Sequence, residues 1–381
     1  MIRLLLGILF LCSSSSYAQQ VLVGIFSQQS TTSVHLTATR GSYKVFQDSN
    51  ELGSIPADHS LKITLKEKML HFTIGGKHHA VKHLSIRGQE YTNSFKIVAN
   101  SVSRNYDDNL KLKALSHSIQ IVNDLALEHY VGGVVESEAG YRLTEEYYKL
   151  QAILCRTYAL KNFHRHEDEG YHLCDAVHCQ VYFSKCYKIK LVDKAVEATS
   201  GLVITDKQLN LIDATFHSNC GGQTCNSEDV WSKPLPYLRS VQDTFCLKTK
   251  NAHWKKVMHK DKWNKYLRAN GITGNQDTMI NGELYFVCPT DRQAAVCFPG
   301  GKIKAAQIRN DFHLRSAFFE VKAVKDSVYI LGKGYGHGVG MCQEGAMEMA
   351  KRGFSYKQII DYYFQEVLLV NLSALTFFKE D

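Results

Sequence analysis

Proline is scarce in this chain. Five prolines in 381 residues leave few fixed breaks, and neither a low-complexity linker nor an internal repeat divides the sequence, which argues against a string of tethered modules and against a solenoid. Long apolar runs are also missing beyond the first dozen residues. No later segment approaches the ~18 consecutive apolar residues of a membrane helix. The phosphate-cradling G-x-x-x-x-G-K-[ST] is absent, as is a strand followed by GxGxxG with a downstream acid, which sets nucleotide enzymes aside. There is no G-x-S-x-G elbow to make a hydrolase triad of the serine, histidine and aspartate near residue 220. The net charge of +8 is spread along the chain and not interleaved with aromatics, so nucleic acid is not indicated, and an anionic polymer or wall surface is favoured only weakly.

What is present begins with a leader. "MIRLLLGILFLCSSSSYAQQ" carries a basic residue, an apolar run from Leu4 to Cys12 and a small-residue cleavage site at Ser16-Tyr17-Ala18. It reads as a secretory signal over residues 1–18, which implies an exported, periplasmic or extracellular mature chain. Eleven cysteines become ten once Cys12 leaves, an even number that an oxidising compartment tends to pair. Cys220 and Cys246 flank a long excursion and are expected to form a disulfide, with Cys288–Cys297 as a second pair.

The fold class expected is α+β. Residues 19–120 alternate short β-branched or aromatic runs ("VLVGIF", "SVHLTAT", "MLHFTIG", "SIQIVND") with turn residues, the rhythm of a β-rich region. Residues 121–381 mix helix and strand. "YVGGVVESEAG" reads as a Gly-Gly turn and valines leading into Glu136 and Glu138. Thr144 then caps a helix with an acidic first turn that carries Lys149 and Arg156 about two turns apart. "LIDATFHSNCGG" reads as strand and turn, Trp254–Asn270 and Ile303–Phe312 as helices, and "SYKQIIDYYFQEVLLV" as one amphipathic helix.

Three segments concentrate chemistry. "HEDEGYHLCDAVHCQ" sets Cys174 and Cys179 among His166, His172 and His178, donors that suit zinc; a Cys174–Cys179 disulfide is the alternative. "HSNCGGQTCNSEDVW" supplies His217, Ser218 and Asp229 around a Gly-Gly turn. "GKGYGHGVGMCQEGAMEMA" places alternate glycines around His337, followed by Gln343, a backbone able to approach another chain or a polymer closely.

Four blocks in this order, residues 130–160, 173–182, 216–241 and 332–350, resemble the SpoIID/LytB family, whose members carry Y-x-x-G-V-V-x-x-E-M and a K-x-Q-A-x-x-x-R-T-Y-A-L helix. The resemblance implies a SpoIID-like core acting on bacterial peptidoglycan. One member type is a lytic transglycosylase of stem-peptide-free glycan strands. The other is a non-catalytic enhancer of a cell-wall amidase. It assigns the motif glutamate to Glu138, with Glu136 at a variable position, and the basic helix positions to Lys149 and Arg156, expected to contact substrate together with His217, Ser218, Asp229, His337 and Gln343. It also implies zinc, held structurally by one histidine and two cysteines; Cys174, Cys179 and His166 fit by position. Two departures stand out: Ala139-Gly140-Tyr141 follows Glu138 where the family continues with Met and Pro, and Cys342 replaces a frequent Ser.

Overall fold

The computed structural model describes residues 19–90, 92–231, 233–272, 284–286, 292, 294–298 and 300–375. The leader over 1–18 and the Cys288–Cys297 pair fall outside them in whole or in part. The α+β class holds, and the chain divides into two units, the first ending at Tyr130 and the second running from Val131. That division lies ten residues past the expected end of the β-rich region at 120, because the strand Ile119–Ala126 pairs with Gln20–Ile25 over residues 121–126 and belongs to the first sheet.

In the first unit, twelve antiparallel strands between Gln20 and Ala126 make two sheets. Alternation drives their packing: in Ser33–Arg40, Val34, Leu36 and Ala38 are buried while the residues between them face out or lie near the surface. Tyr43 of one sheet meets Phe95 of the other edge-on with ring centroids 6.0 Å apart, so the buried faces form a sandwich. Tight hairpins set the register. Glu67-Lys68 and Asn100-Ser101 both hold positive φ at the two central positions, the geometry of a type I′ turn that matches strand twist.

Helix α1 (Leu127–Ala139) follows the last of these strands and carries the chain into the second unit. Here the structure departs from the turn read at Gly132-Gly133: both glycines lie inside the helix. Helix α2 (Glu145–Lys161) starts at Thr144 as expected, with Thr144 Oγ1 accepting the Tyr147 amide at 3.3 Å. Twelve of its residues are buried, on all sides, which makes it the central helix of this unit and not an amphipathic one. Against it pack α3 (Lys190–Ala198), α7 (Gln343–Lys351) and α8 (Tyr356–Tyr363), and the unit also contains the short α4 (Ser227–Val230), α5 (Lys260–Ala269) and α6 (Ala305–Asp311).

Two helix expectations are corrected. Trp254–Asn270 splits into a strand, His253–His259, and α5. The strand alternates in exposure and pairs with Ser327–Lys333, while Trp263 and Leu267 of α5 are buried in the cluster over that sheet, each worth about 1.5–3 kcal/mol. The segment from Ser355 starts as a helix with a Ser355/Gln358 capping box but ends at Tyr363; Glu366 takes a positive φ, and Val367–Asn371 then pairs with Leu202–Asp206. The Val-Leu-Leu-Val run satisfies its backbone in that ladder. Of "LIDATFHSNCGG", only Phe216–His217 is a regular strand, paired in parallel with Met341–Cys342.

Candidate functional site

The glycines of α1 explain how the site is assembled. A Cβ on Gly133 would stand 2.4 Å from Tyr182 Cε2 and 2.5 Å from the Ser184 carbonyl oxygen. Only a bare backbone lets the 182–186 segment lie against the helix. That approach delivers the Val181 amide, which donates to Glu138 Oε1 at 3.1 Å. Glu138 is half-buried, and its Oε2 has no hydrogen-bond partner among the described residues. Burial raises its pKa, opposed in part by the Val181 hydrogen bond, and no charged neighbour of either sign contributes. Its place in the last turn of α1, at the negative end of the helix dipole, acts in the same direction as burial.

Glu136, two residues earlier, is committed elsewhere. Its Oε2 accepts the amides of Tyr187, Lys188 and Ile189 at 3.2, 2.8 and 2.9 Å, just ahead of α3. The two glutamates therefore do different work, Glu136 anchoring a loop and Glu138 keeping one oxygen without a partner among the described residues.

The structure does not bring the two basic helix residues to Glu138. Lys149 is ion-paired with Glu145 and Glu146, 3.0 Å each, which raises its pKa. Arg156 is fully buried and donates to the Leu202 carbonyl at 3.0 Å, fastening α2 to the 202–206 strand. Access to substrate, expected from the sequence, is closed to Arg156 by burial.

The thiol–imidazole cluster does form. His166, Cys174, His178 and Cys179 place their ligand atoms within 4.8 Å of one another. His166 Nε2 lies 3.4 Å from Cys179 Sγ, and its Nδ1 lies 2.6 Å from Glu169 Oε1, whose other oxygen accepts the Tyr171 hydroxyl at 2.7 Å. A carboxylate on the far nitrogen is the usual support of a metal-binding histidine. His178 Nδ1 sits 3.9 and 3.8 Å from Cys174 and Cys179 Sγ, on the exposed side. His178, outside the set that fitted by position, brings a fourth potential donor atom to the cluster. Two thiols, two imidazoles and a supporting carboxylate fit a tetrahedral zinc site. The Cys174 thiol is pulled well below its ordinary pKa, chiefly by a hydrogen bond from Cys179, which keeps the proton. Cys179 of the cluster lies two residues before Val181 in the chain.

A second group gathers around the glycine-rich loop. His217 is buried, with Nδ1 3.2 Å from the Val339 carbonyl and Nε2 lacking a partner among the described residues. His337 accepts the Val339 amide on Nδ1 at 3.1 Å and so donates from Nε2 to the Phe216 carbonyl, 3.0 Å away. Both its nitrogens are used in bracing the loop. Burial lowers the pKa of both imidazoles, that of His337 to about 4. A Cβ on Gly336 would stand 2.8 Å from His217 Cβ, which explains a glycine there. Ser218 is half-buried; Gln343 keeps a buried Nε2 with no partner among the described residues. Asp229 is exposed and, with Glu228, Trp231, Lys302 and Lys304, lines a cleft of about 530 Å³. The Trp231 ring lies 5.3 Å from that of His337.

Sequence reasoning missed Tyr147, whose buried hydroxyl has no partner among the described residues and which feels both the Glu138 carboxylate and the Cys342 thiol. Nothing in a Tyr-rich helix marks which hydroxyl will be left without a partner: that of Tyr148, next in sequence, donates to the Gly140 carbonyl at 2.9 Å. Cys220 and Cys246, expected to be bonded, are free thiols with sulfurs 3.4 Å apart.

The resemblance extends beyond the four blocks. Residues 115–205 match the SpoIID family, described as stage II sporulation protein. The chain is 32% identical over 267 residues to stage II sporulation protein D of Bacillus amyloliquefaciens, covering 66% of this chain and 75% of that protein. It is 32% identical over 261 residues to the Bacillus subtilis (strain 168) protein of the same name, covering 65% and 75%. The chain belongs to the SpoIID family. Its likeness to the amidase enhancer of B. subtilis (strain 168) is 24% over 290 residues, 63% of this chain but 40% of that protein.

Proposed function

We propose that this chain is an exported lytic transglycosylase that cleaves the glycan strands of bacterial peptidoglycan, with stem peptides removed, using Glu138 as its single acid/base. The observation that carries the proposal is the half-buried Glu138 carboxyl, with a raised pKa, one oxygen without a partner among the described residues and no cation or second carboxylate acting on it. A carboxyl kept protonated towards working pH donates its proton to the leaving glycosidic oxygen. The resulting carboxylate, steadied by the Val181 amide, then draws the proton from the muramic 6-hydroxyl, whose oxygen closes on its own anomeric carbon and leaves a 1,6-anhydro end. A pair of cooperating carboxylates, as a hydrolase uses, is not required, and Glu136 is already bound to three amides.

Ser218 and Asp229 supply polar contacts to the strand, and the Trp231 face gives its sugars an apolar platform, while the buried nitrogens of His217 and Gln343 do not reach it. His166, Cys174, Cys179 and His178 would hold zinc, whose contribution is to fix the 174–182 stretch. The leader pattern supports action outside the cytoplasm.

A second reading, a non-catalytic enhancer that binds the wall and stimulates an amidase, is favoured by the likeness to the amidase enhancer. Incubation of the mature chain with amidase-treated glycan strands, followed by mass spectrometry, separates the two. Products ending in 1,6-anhydro-muramic acid support the transglycosylase. Intact strands, together with faster stem-peptide release by an added amidase, support the enhancer.

A further inference from the structure

Beneath the glycine-rich loop lies a set of side chains that the glycan chemistry does not use. Cys220, Asp243, Cys246 and Cys342 come from three separate stretches of chain, all four have no exposed surface, and their ligand atoms lie within 4.8 Å of one another. Cys220 Sγ is 3.4 Å from Cys246 Sγ and 3.2 Å from Asp243 Oδ2. Zinc with bonds near 2.3 Å to sulfur and 2.0–2.2 Å to oxygen sets neighbouring ligands about 3.4–3.8 Å apart in a tetrahedron, close to these separations.

The surroundings point the same way. The Tyr363 hydroxyl donates to Asp243 Oδ2 and the Phe245 amide to Oδ1, both at 2.9 Å, which holds the carboxylate in one orientation. Cys342 Sγ accepts the Cys220 amide at 3.2 Å and the Gly345 amide at 3.4 Å, support that suits a thiolate. Asp243 has no cationic side chain paired with it among the described residues. A carboxylate sunk that far from water carries a penalty of several kcal/mol unless a positive charge meets it. A Cys220–Cys246 disulfide would use two of the sulfurs and leave Cys342 and Asp243 without a counter-charge; a divalent cation uses all four donors.

We propose that Cys220, Cys246, Cys342 and Asp243 form a second metal site, structural in role and of zinc type, separate from the cluster at His166. On binding, the three thiols release their protons to solvent, and the ion joins three thiolates and one carboxylate. Because Cys342 is the N-cap of α7 and its strand pairs with Phe216–His217, the ion fastens the glycine-rich loop, the turn at Asp243–Cys246 and the His217 strand at one point. The site does not depend on the proposed glycan cleavage.

The test uses the full mature chain purified with added zinc chloride and no chelator. Elemental analysis is expected to find two zinc ions per chain, and the Cys174→Ser/Cys179→Ser variant is expected to keep one, with X-ray absorption reading three sulfurs and one oxygen around it. Cys342→Ser is expected to lose one ion and keep the other. Should that variant not fold, peptide mapping of the unaltered chain decides: alkylation in denaturant with chelator but without reductant is expected to label Cys220, Cys246 and Cys342. A Cys220–Cys246 cross-linked peptide before reduction, or a Cys174→Ser/Cys179→Ser variant free of zinc, overturns the proposal.

Discussion

Val181 and Glu138 are 43 residues apart in sequence and meet through one hydrogen bond, the Val181 amide donating to Glu138 Oε1 at 3.1 Å. This bond favours the carboxylate while burial favours the acid. The glutamate is therefore placed to hold a proton and also to survive its loss, the two states that an acid/base cycle visits.

Glu138→Gln keeps shape but cannot cycle a proton. Release of anhydro ends is expected to fall by at least ~10²-fold and up to ~10⁴-fold, with folding retained. The stability effect has a definite sign. A carboxyl whose pKa is raised by folding contributes stability below its unfolded pKa of about 4.3 and loses it as pH rises through the folded value, so the native chain is penalised at neutral pH. The Gln variant should melt higher at pH 7, and that advantage should vanish below pH ~4. Calorimetry at both pH values checks it; a lower melting temperature at pH 7 would contradict the burial argument.

Gly133→Ala sets two effects against each other. Alanine improves an exposed helix interior by about 1 kcal/mol, but here its methyl meets Tyr182 and the Ser184 carbonyl. Overpacking against backbone costs about 1–3 kcal/mol. A net loss in urea-unfolding midpoint is expected, together with reduced activity, because the segment that must retreat carries Val181.

Arg156 and Lys149 should separate by what they disturb. Arg156→Met strands the Leu202 carbonyl and should destabilise by about 1–3 kcal/mol, with KM unchanged at temperatures where the fold survives. Lys149→Ala loses two surface ion pairs, each worth under ~1 kcal/mol. A several-fold rise in KM for Lys149→Ala would restore the substrate contact read from the sequence.

His337 and His217 predict acid sensitivity. Their pKa values are depressed by burial, so the stability that neutral imidazoles contribute is present above pH ~6.5 and lost as pH falls towards 4, the folded value of His337. Chemical denaturation between pH 7 and 4 should trace that decline, and His337→Asn should flatten it. A slope identical in the variant would place the titration elsewhere.

Zinc at His166 is checked through its support. Glu169→Gln weakens the hydrogen bond that orients His166 and should lower zinc affinity by about 10–100-fold. Chelation of the unaltered chain should expose Cys174 and Cys179 to alkylation without reductant. Protection that only a reductant removes would mean a disulfide there.

Local signals in the sequence were read correctly where local physics decides. Thr144 ahead of two glutamates capped α2 as its hydroxyl chemistry requires, and β-branched alternation over residues 20–120 became strands. The failures have a common cause. Gly132-Gly133 suggests a turn until Tyr182 is known to need the space, and Val367–Asn371 continues a helix until Leu202–Asp206 offers it a ladder. In each, a partner far along the chain overrides local preference. The site follows the same rule: Glu138, Cys174, Cys179 and His166 stood out as chemistry, but the rotation of His178 and the burial of Arg156 depend on distant packing.

The parallel pair of Phe216–His217 with Met341–Cys342 joins stretches about 125 residues apart in the order of synthesis. His217 gets its Val339 partner, and His337 its Phe216 partner, only when the last tenth or so of the polypeptide is available. A chain emerging amino end first therefore carries Glu138 and its neighbours long before it has a finished binding surface. Premature termination between residues 131 and 337 should yield a protein that retains the β-sandwich yet lacks the braced glycine-rich loop, so that surface arrives all at once, with the completed molecule.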